Sequence, residues 1–350
     1  MKLPFLAGIS FIVKKSLFLL ATLQLLFLAC FSQGSKVSSL SLSQGDIISA
    51  TDLRILKKKE DTLKGLIRDI FTKDNTSDRM RSDSLFIRTL VRSLQVKNSF
   101  YYPFDSLQGT SHLYAPDSSF RIFTWQISYD NDYSYTRQHG AIQFRTPDGR
   151  LALVPLKDYS EFADNPMDSV RNKDTWIGAV YYNIIETGYN GKNYYTLFGY
   201  DANSYKSNKK WIEVLTFDDR HQPVFGGKYF SFEQDSVKRA TQYRYGIEYK
   251  KEAATTVNYS EDNNMIVFDH LISETDEPDN PWTYIPDGDY EGFKWEKGKW
   301  VHVDKVFTFK LKDGEFPMPD PIKDAEGKSN EEKLQIQSEK NRQMNVKRQM

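Results

Sequence analysis

The segment TWIGAVYYNIIETGYNGKNYYTLFGYDANSYKSNKKWIEVLTF, residues 175–217, is crowded with aromatic and β-branched side chains. Its three apolar stretches have the composition of β-strands. Asn190-Gly191 separates the first two stretches, and both residues accept the positive φ that a two-residue hairpin turn requires. The segment therefore predicts an antiparallel hairpin followed by a third strand.

Strand-like runs with turn residues between them continue on both sides of this segment, from about residue 110 onward. Further hairpin turns are predicted at Pro147-Asp148-Gly149, at 218–222 and at Lys297-Gly298. About a dozen strands predict a mainly β domain over residues 99–316, an antiparallel β sandwich or meander. No strand–helix–strand alternation supports a doubly wound sheet. The pattern does not choose among a sandwich, a barrel and a propeller.

Residues 51–98 predict a helical hairpin ahead of the β domain. Thr51 is the expected N-cap of the first helix, and a short polar link at 73–75 separates the two helices. Apolar residues at three- and four-residue steps predict the buried stripe of the first helix: Leu56, Leu63, Leu66, Ile67 and Ile70. The expected face of the second helix, with Phe86 and Leu90 beside it, is Met80, Ser84, Ile87, Val91 and Leu94.

The N-terminus has the order of a secretory signal. Lys14 and Lys15 precede an uncharged, almost wholly apolar run from Ser16 to Phe31, and small or polar residues follow. We therefore interpret residues 1–32 as a signal peptide and the Ser-rich residues 33–50 as a linker. This predicts an exported protein, periplasmic or secreted.

Cys30 is the only cysteine, and its fate has alternatives. Small residues at Cys30 and Ser32 fit ordinary signal-peptidase cleavage before Gln33, which discards the cysteine. Ala29 before Cys30 also fits a lipoprotein signal, although Phe27 and Leu28 fit it poorly. An uncleaved anchor is the third alternative, but the run is shorter than the roughly 20 residues of a membrane span. A membrane partner is expected only for a lipidated or uncleaved chain.

The charge balance argues against nucleic acid as a partner. The full chain has 47 basic and 47 acidic residues, and removing the signal peptide takes away three lysines and no acid. The resulting net charge of −3 offers no general attraction to phosphate backbones. If Cys30 leaves with the signal, disulfides, thiolate nucleophiles and zinc–thiolate sites are excluded as well. Residues 317–350, Pro-rich and then charged without aromatics, predict a disordered tail.

No motif in the sequence identifies a catalytic residue or a metal site, and no cofactor is predicted. The chain lacks G-x-S-x-G, a P-loop, GxGxxG and a HExxH pattern. Asp269-His270 is a poor acid–base pair, because neighbours on a strand face opposite ways. The acidic stretch 287–292 begins like a calcium loop but has Gly298 at its twelfth position, so a solvated turn is favoured. Acids in strand-like runs that could form a pair are Glu186, Glu213, Glu248 and Asp269.

Aromatic side chains, 14% of the residues, are the most conspicuous feature of the composition. Packing between sheets is the common use of such residues. An exposed aromatic platform for a sugar, a peptide or a protein is the alternative, because alternation along a strand places some tyrosines on each face. The ligand-binding candidates on that alternative are Trp176, Tyr182, Tyr195 and Trp211.

A series of short sequence segments across residues 100–305 resembles a group of uncharacterised exported proteins of the Bacteroidota. The resemblance implies envelope export and one continuous β-rich domain, and it supplies no activity and no catalytic residues. The phrases that carry it are YPFDSL (102–107), FRIFTW (120–125), GAIQF (140–144), WIGAVYYNII (176–185), YYTLFGYDAN (194–203), KKWIEVLTFD (209–218), PVFGGKYF (223–230), NNMIVFDHLI (263–272) and GFKWEKGKWVHV (292–303).

Export, an aromatic β domain and the lack of a catalytic motif favour a non-enzymatic binding or assembly module of the cell envelope. Its expected partner is another envelope protein or a glycan or peptide ligand. The alternative is a hydrolase that acts on an envelope polymer with paired carboxylates. A close pair of carboxylates lining a cavity favours the hydrolase, and an exposed aromatic face without such a pair favours binding.

The mass of the mature protein distinguishes the fates of Cys30. We expect a soluble species that begins at Gln33 after purification from the native host and separation of membranes from soluble material. Intact mass spectrometry measures this directly. A membrane-bound species that begins at an acylated Cys30 contradicts the expectation and identifies residues 33–50 as a tether.

Overall fold

The computed structural model describes residues 47–129 and 135–307. The predicted signal peptide 1–32 with Cys30, most of the predicted linker 33–50, the last residues of the predicted β domain, 308–316, and the predicted tail 317–350 lie outside the described residues. The described residues through Val306 belong to one compact unit. No helix in the described ranges has both the length and the apolar character needed to cross a membrane.

Two helices open the described chain, and they confirm the predicted hairpin. Helix α1 spans Ala50–Thr72 and helix α2 spans Thr76–Leu94. The expected N-cap was wrong: Thr51 lies inside α1, and the Ser49 hydroxyl accepts the Asp52 N–H at 3.1 Å instead. Ser49 takes this role because it precedes the first helical residue, where a side-chain oxygen reaches a free N–H group.

The predicted face of α2 was right at Leu94, which is buried, and wrong toward the start of the helix. Met80 is exposed, whereas Phe86 and Leu90 lie in the centre of the buried face. Asp83 lies on that face because its Oδ1 accepts the indole N–H of Trp125 at 2.9 Å. A search for apolar spacing misses such a face, since its polar members are buried through hydrogen bonds.

Fifteen strands follow in the described residues, a mainly β fold as predicted. They are β1 Ser111–Tyr114, β2 Phe120–Ser128, β3 Thr136–Phe144, β4 Ala152–Lys157, β5 Arg171–Asn172, β6 Val180–Tyr189, β7 Lys192–Asp201, β8 Ser207–Phe217, β9 Pro223–Phe225, β10 Phe230–Ser231, β11 Arg244–Lys250, β12 Val257–Ser260, β13 Met265–Ser273, β14 Tyr284–Glu296 and β15 Lys299–Val303. The four predicted hairpins are present, and Asn190-Gly191 has positive φ at both residues.

The strands form three sheets. The first sheet has the order β1-β2-β3-β4. The central sheet has the order β5-β9-β8-β7-β6, with β11 also paired to β8, and the third has the order β10-β15-β14-β13-β12. The pairings are antiparallel, apart from the two-residue parallel contact of β10 with β15. Most connections between consecutive strands are short. Strands that follow one another in the sequence are therefore mostly adjacent in a sheet.

The helical hairpin and the three sheets stack as four layers. One apolar cluster joins the helices to the first sheet, a second joins the first and central sheets, and a third joins the central and third sheets. The alternation along β8 shows the arrangement: Trp211 packs toward the first sheet and Ile212 toward the third. Both faces of the central sheet are therefore covered, which explains how its aromatic residues can be buried on either side.

A buried polar chain lies in the central sheet, and two of its members, Trp176 and Tyr181, belong to the cluster between this sheet and the first sheet. Arg244 Nε donates to Glu213 Oε2 at 3.2 Å, and both side chains are 1% exposed. They face each other directly on β11 and β8. The Tyr181 hydroxyl donates to the second Glu213 oxygen and accepts the Trp176 indole N–H at 2.7 Å. Every strong polar group in this chain therefore has a partner inside the core.

Removing one member of this ion pair should destabilise the folded protein strongly. We expect Glu213→Gln to lower the free energy of unfolding by about 3–5 kcal/mol, because it leaves the Arg244 guanidinium buried without its carboxylate. Urea denaturation followed by circular dichroism measures the change. Glu274→Gln is the matched control, since it breaks the exposed Lys250–Glu274 pair and should leave stability almost unchanged. Equal effects of the two variants would contradict a structural role for the buried pair.

Candidate functional site

Two cavities, each of about 530 Å³, adjoin one another at the edge of the central sheet. The edge cavity lies beside β11 and reaches β13 and β14 of the third sheet. The loop cavity lies between the end of β7, the start of β3 and residues 158–166. The wall between them is shared, and it consists of Asp164, Pro166, Lys209 and Trp211. Their sizes suit small ligands, which bind in clefts of roughly 300–1,000 Å³.

Trp211 is the central side chain of this site. Its indole lines both cavities although the residue is only 6% exposed. Within the described residues, the indole N–H has no hydrogen-bond acceptor. A buried donor without an acceptor is unusual and costs free energy.

Gly246 makes room for this indole. It is the cross-strand neighbour of Trp211 on β11. A Cβ at position 246 would lie 2.4 Å from an atom of the six-membered ring, so a larger residue would displace the indole. The close packing of strand backbone against ring fixes Trp211 in the wall.

Arg244 holds the loop that completes the wall. Its guanidinium donates to the carbonyl oxygens of Pro166 and Ser169, the latter at 3.3 Å. The Tyr243 N–H donates to the Met167 carbonyl at 2.8 Å. Because Pro166 and Met167 line the edge cavity, the buried ion pair of the core also positions the cavity wall.

A chain of alternating charges borders the edge cavity. Glu291 accepts from His302 Nε2 at 3.0 Å and lies 3.6 Å from His270 Nε2. His270 Nδ1 also lies 2.8 Å from an Asp287 oxygen. On the other side, His302 Nδ1 donates to Asp235 at 2.9 Å. Arg239 ends the chain with a 2.6 Å contact to Asp235; Arg239, His270 and Glu291 line the cavity.

The charge chain favours a protonated His302. Burial alone lowers the pKa of His302, but hydrogen bonds to Glu291 and Asp235 outweigh this effect and raise the pKa above 6.5. Both ring nitrogens face carboxylate oxygens, and only the imidazolium donates to both. The histidine and its two carboxylates are therefore committed to one another.

The remaining buried charges of the edge cavity also have partners. Lys209 Nζ lies 3.3 Å from Glu248, which additionally accepts the Asn203 amide at 3.1 Å. Asp269 accepts the Thr256 N–H. Aromatic and apolar side chains complete the lining, among them Tyr245, Phe268 and Tyr284. The cavity thus combines apolar surface with ionisable groups among which carboxylates predominate: Asp164, Glu248, Asp269 and Glu291.

The loop cavity contains two carboxylates connected through Gln138. Asp201 accepts the Gln138 side-chain amide at 2.7 Å, and Asp158 accepts the Gln138 N–H at 3.0 Å. Asp158 also accepts from Ser160 N–H and hydroxyl and from Gly178 N–H. Its two oxygens are therefore occupied in holding the loop, which leaves Asp201 as the less committed acid.

Asp201 is the strongest candidate for proton transfer. Burial raises its pKa to about 6 and the nearby Asp158 carboxylate adds to the rise, against hydrogen bonds from Asn203 and Gln138 and the charge of Lys209. A carboxylic acid that stays partly protonated near neutral pH can act as a general acid. Perturbed acids of this kind often mark functional sites.

The structure separates the four aromatic candidates. Trp176 and Tyr195 are buried in the cluster between the first and central sheets, as the packing interpretation predicts. Tyr182 is 38% exposed, and its hydroxyl donates to the Val257 carbonyl at 2.7 Å. Trp211 alone lines the two adjoining cavities. The four side chains therefore do not form one exposed platform.

The candidate acids also have different environments. Glu248 and Asp269 both line the edge cavity, whereas Glu213 is committed to the core ion pair. Glu186 lies on β6 opposite Tyr195. Asp269 and His270 have different partners, as the strand geometry predicted.

The stretch 287–292 belongs to β14, so the prediction of a turn was wrong. Its acids make ion pairs instead: Asp287 with His270, Asp289 with Lys305, and Glu291 with both histidines. Among the described residues, no group of three or more His, Asp or Glu side chains could hold a metal ion.

Several residues of this site were not predicted from the sequence. Asp201, Arg239 and His302 come from three distant segments, and no spacing rule connects them. Trp282 and Tyr205 are the exposed aromatics near the edge cavity, but they lie outside the aromatic-dense strands. One sequence signal was available for Trp282: it lies in a short segment between prolines, which indicates a loop.

Comparison of the chain with protein-family models, with curated proteins and with solved structures finds no match.

Asp201→Asn should change how stability depends on pH. Because the folded-state pKa of about 6 lies above the ordinary 3.8, folding favours the protonated acid. Wild-type stability therefore loses up to about 3 kcal/mol as pH rises from 3.8 to 6. Relative to wild type, the variant should gain stability over that window and hold the gain above it.

Urea denaturation at pH steps from 4 to 7.5 measures this difference. The exposed Asp174→Asn variant is the matched control and should follow wild type. A difference between wild type and Asp201→Asn that stays constant across the range would contradict the raised pKa.

Proposed function

We propose that this chain is a non-enzymatic binding module of the bacterial cell envelope, and that its ligand occupies the two adjoining cavities around Trp211. The observation that carries the proposal is the pair of adjoining cavities, each of about 530 Å³, whose shared wall contains Trp211. Clefts of this size that combine apolar lining with a few polar groups are typical sites for small ligands.

The charged groups around the cavities already form hydrogen bonds and ion pairs with one another, which supports binding over catalysis. His302 is held between Asp235 and Glu291, and Asp158 holds a loop with both oxygens. Groups fixed in this way give the cavity its shape and polarity. They are poor general bases, because a general base needs a free lone pair. A rigid, mixed apolar and polar cleft is typical of ligand-binding proteins.

The envelope location rests on the N-terminal sequence. Lys14, Lys15 and the apolar run Ser16 to Phe31 have the order of an export signal. Release after cleavage before Gln33 gives a soluble envelope protein, and acylation at Cys30 gives a membrane-anchored one. The binding proposal holds for either form, because the cleft lies in residues 135–291.

A second candidate function is a hydrolase that acts on an envelope polymer. The observation in its favour is Asp201, whose pKa is raised to about 6 in a cavity that also contains Asp158. In that function Asp201 donates a proton to the leaving group. Release of new chain ends from the polymer, abolished by Asp201→Asn, distinguishes the hydrolase from the binding module.

Trp211→Phe should weaken ligand binding without unfolding the protein. The variant keeps an aromatic ring beside Gly246 but removes the pyrrole part of the indole, with its N–H, from the shared cavity wall, so we expect about a tenfold loss of affinity. Envelope glycan and peptide pools are first tested for raising the melting temperature of the wild type. Calorimetric titration of the active pool then compares the variants.

Trp295→Phe is the matched control. Its indole N–H already donates to the Gly188 carbonyl at 3.3 Å, and Trp295 lines neither cavity. This variant should bind like wild type. If Trp211→Phe also binds like wild type, or if no pool stabilises the protein, the proposed site is wrong.

A further inference from the structure

We infer that the ligand is an extended peptide with basic side chains, which binds in the edge cavity as an added strand beside β11. The inference rests on the proposed binding function and adds the chemical class of the ligand and the way in which it is held. Two independent features carry it: the unpaired outer edge of β11 and the excess of carboxylates in the cavity.

The outer edge of β11 has unpaired backbone groups. Among the described strands, β11 pairs with β8 alone. The Lys251 N–H donates to the Lys206 carbonyl at 2.9 Å, in the register of this pairing. Because backbone groups alternate in direction along an antiparallel pair, the N–H and C=O groups of Gly246 and Glu248 point away from β8. In the described part of the chain these four groups have no hydrogen-bond partner, so they are a template for another strand.

The edge cavity surrounds this outer edge. Gly246 and Glu248 lie on the face of β11 that meets Trp211, whereas Tyr245 and Ile247 pack in the cluster on the opposite face, toward the third sheet. All four β11 residues line the one cavity, so the cavity extends around the edge of the strand from one face to the other. A peptide strand in this position places successive side chains alternately on these two faces.

Carboxylates outnumber cations in the edge cavity. Four carboxylates line it, together with Lys209 and Arg239. Both cations already have a carboxylate partner, since Lys209 Nζ lies 3.3 Å from Glu248 and Arg239 lies 2.6 Å from Asp235. The cavity therefore attracts a cationic ligand and repels an anionic one.

Two of the carboxylates have no cationic partner in the parts of the chain that the structure describes. Asp269 is 8% exposed, and its carboxylate accepts the Thr256 N–H but forms no ion pair. Asp164 belongs to the wall that the two cavities share, and its side chain forms neither an ion pair nor a hydrogen bond there. The ammonium or guanidinium group of a basic side chain supplies the missing positive charge.

A peptide complements both features in one ligand. Its backbone N–H and C=O groups match those of Gly246 and Glu248, which a small amine cannot do. Its basic side chains meet the carboxylates, and its apolar side chains pack on the face formed by Tyr245 and Ile247. Strand addition of this kind takes its affinity from main-chain hydrogen bonds and its specificity from the side chains.

Calorimetric titration with hexapeptides tests the inference. The probe alternates Lys and Val and has acetylated and amidated ends, and its two counterparts replace Lys by Ser or by Glu. We expect the Lys–Val peptide to bind, the Ser–Val peptide to bind at least tenfold more weakly, and the Glu–Val peptide to bind more weakly still. Added salt should weaken the binding of the Lys–Val peptide, because part of its affinity is electrostatic.

N-methylated peptides distinguish strand addition from a general attraction between charges. One version of the Lys–Val peptide has N-methyl groups on its lysines, and the other has them on its valines. In a strand, only one of these two sets of N–H groups faces β11. One version should therefore lose at least tenfold in affinity while the other binds like the parent peptide. Equal affinities of the two versions, whether retained or lost, overturn the strand addition.

Asp164→Asn and Asp269→Asn test the role of the carboxylates. Each variant should weaken the Lys–Val peptide by about threefold to tenfold and leave the Ser–Val peptide nearly unchanged, because only basic side chains lose a partner. The amide oxygen at position 269 can still accept the Thr256 N–H, so the fold should be retained, which circular dichroism checks. Asp174→Asn, which changes an exposed carboxylate outside both cavities, is the matched control and should have no effect.

Each contrary result has its own meaning. Tighter binding of the Ser–Val or Glu–Val peptide, or wild-type affinity in both cavity variants, overturns the basic class of peptide. A dimer, measured by light scattering, that the Lys–Val peptide dissociates means that a second copy of the chain occupies the edge, and it overturns a separate peptide as the ligand. If the Lys–Val peptide does not bind, the inference is overturned, and the pool experiment above decides separately whether the binding function stands.

Discussion

The buried contact between Arg244 and Glu213 connects the core to the candidate site. The two residues are cross-strand partners on β11 and β8, so their ion pair stabilises the pairing of these strands. Tyr181 extends the network toward the first sheet, and Arg244 extends it to the carbonyl of Pro166 in the cavity wall. A charge placed in the core remains stable only when all of its neighbours are in position. Folding of the core and shaping of the cleft are therefore one event.

The three-sheet stack determines where the aromatic side chains lie. A two-layer sandwich leaves one face of each sheet in water, but the central sheet here is covered on both faces. The Trp300 indole shows the consequence, since it donates to Thr196 of the central sheet at 3.0 Å from the third sheet. Most aromatic residues consequently pack in the interior. Two tryptophans differ from these: Trp211 lines the two cavities, and Trp282 is partly exposed.

Carboxylates predominate among the ionisable groups of the cleft. Asp164, Glu248, Asp269 and Glu291 line the edge cavity, together with the cations Lys209 and Arg239. Asp201 in the loop cavity differs from an ordinary carboxylate, because burial keeps its acid partly protonated. The proposed binding site around Trp211 therefore adjoins one group suited to proton transfer, and turnover measurements with Asp201→Asn distinguish the proposed binding module from a hydrolase.

The sequence alone determined the elements that depend on neighbouring residues. Hairpin turns such as Asn190-Gly191 and the stripe of α1 follow local rules, because a positive φ or a helical spacing is a property of a few consecutive residues. The mainly β class followed from the same signals. The stacking order, the mixed face of α2 around Asp83 and the convergence of Asp201, His302 and Trp211 on one cleft were decided only in the tertiary structure. Those features depend on contacts between segments far apart in the chain, and on polar groups whose burial is favourable only after a distant partner has come into place.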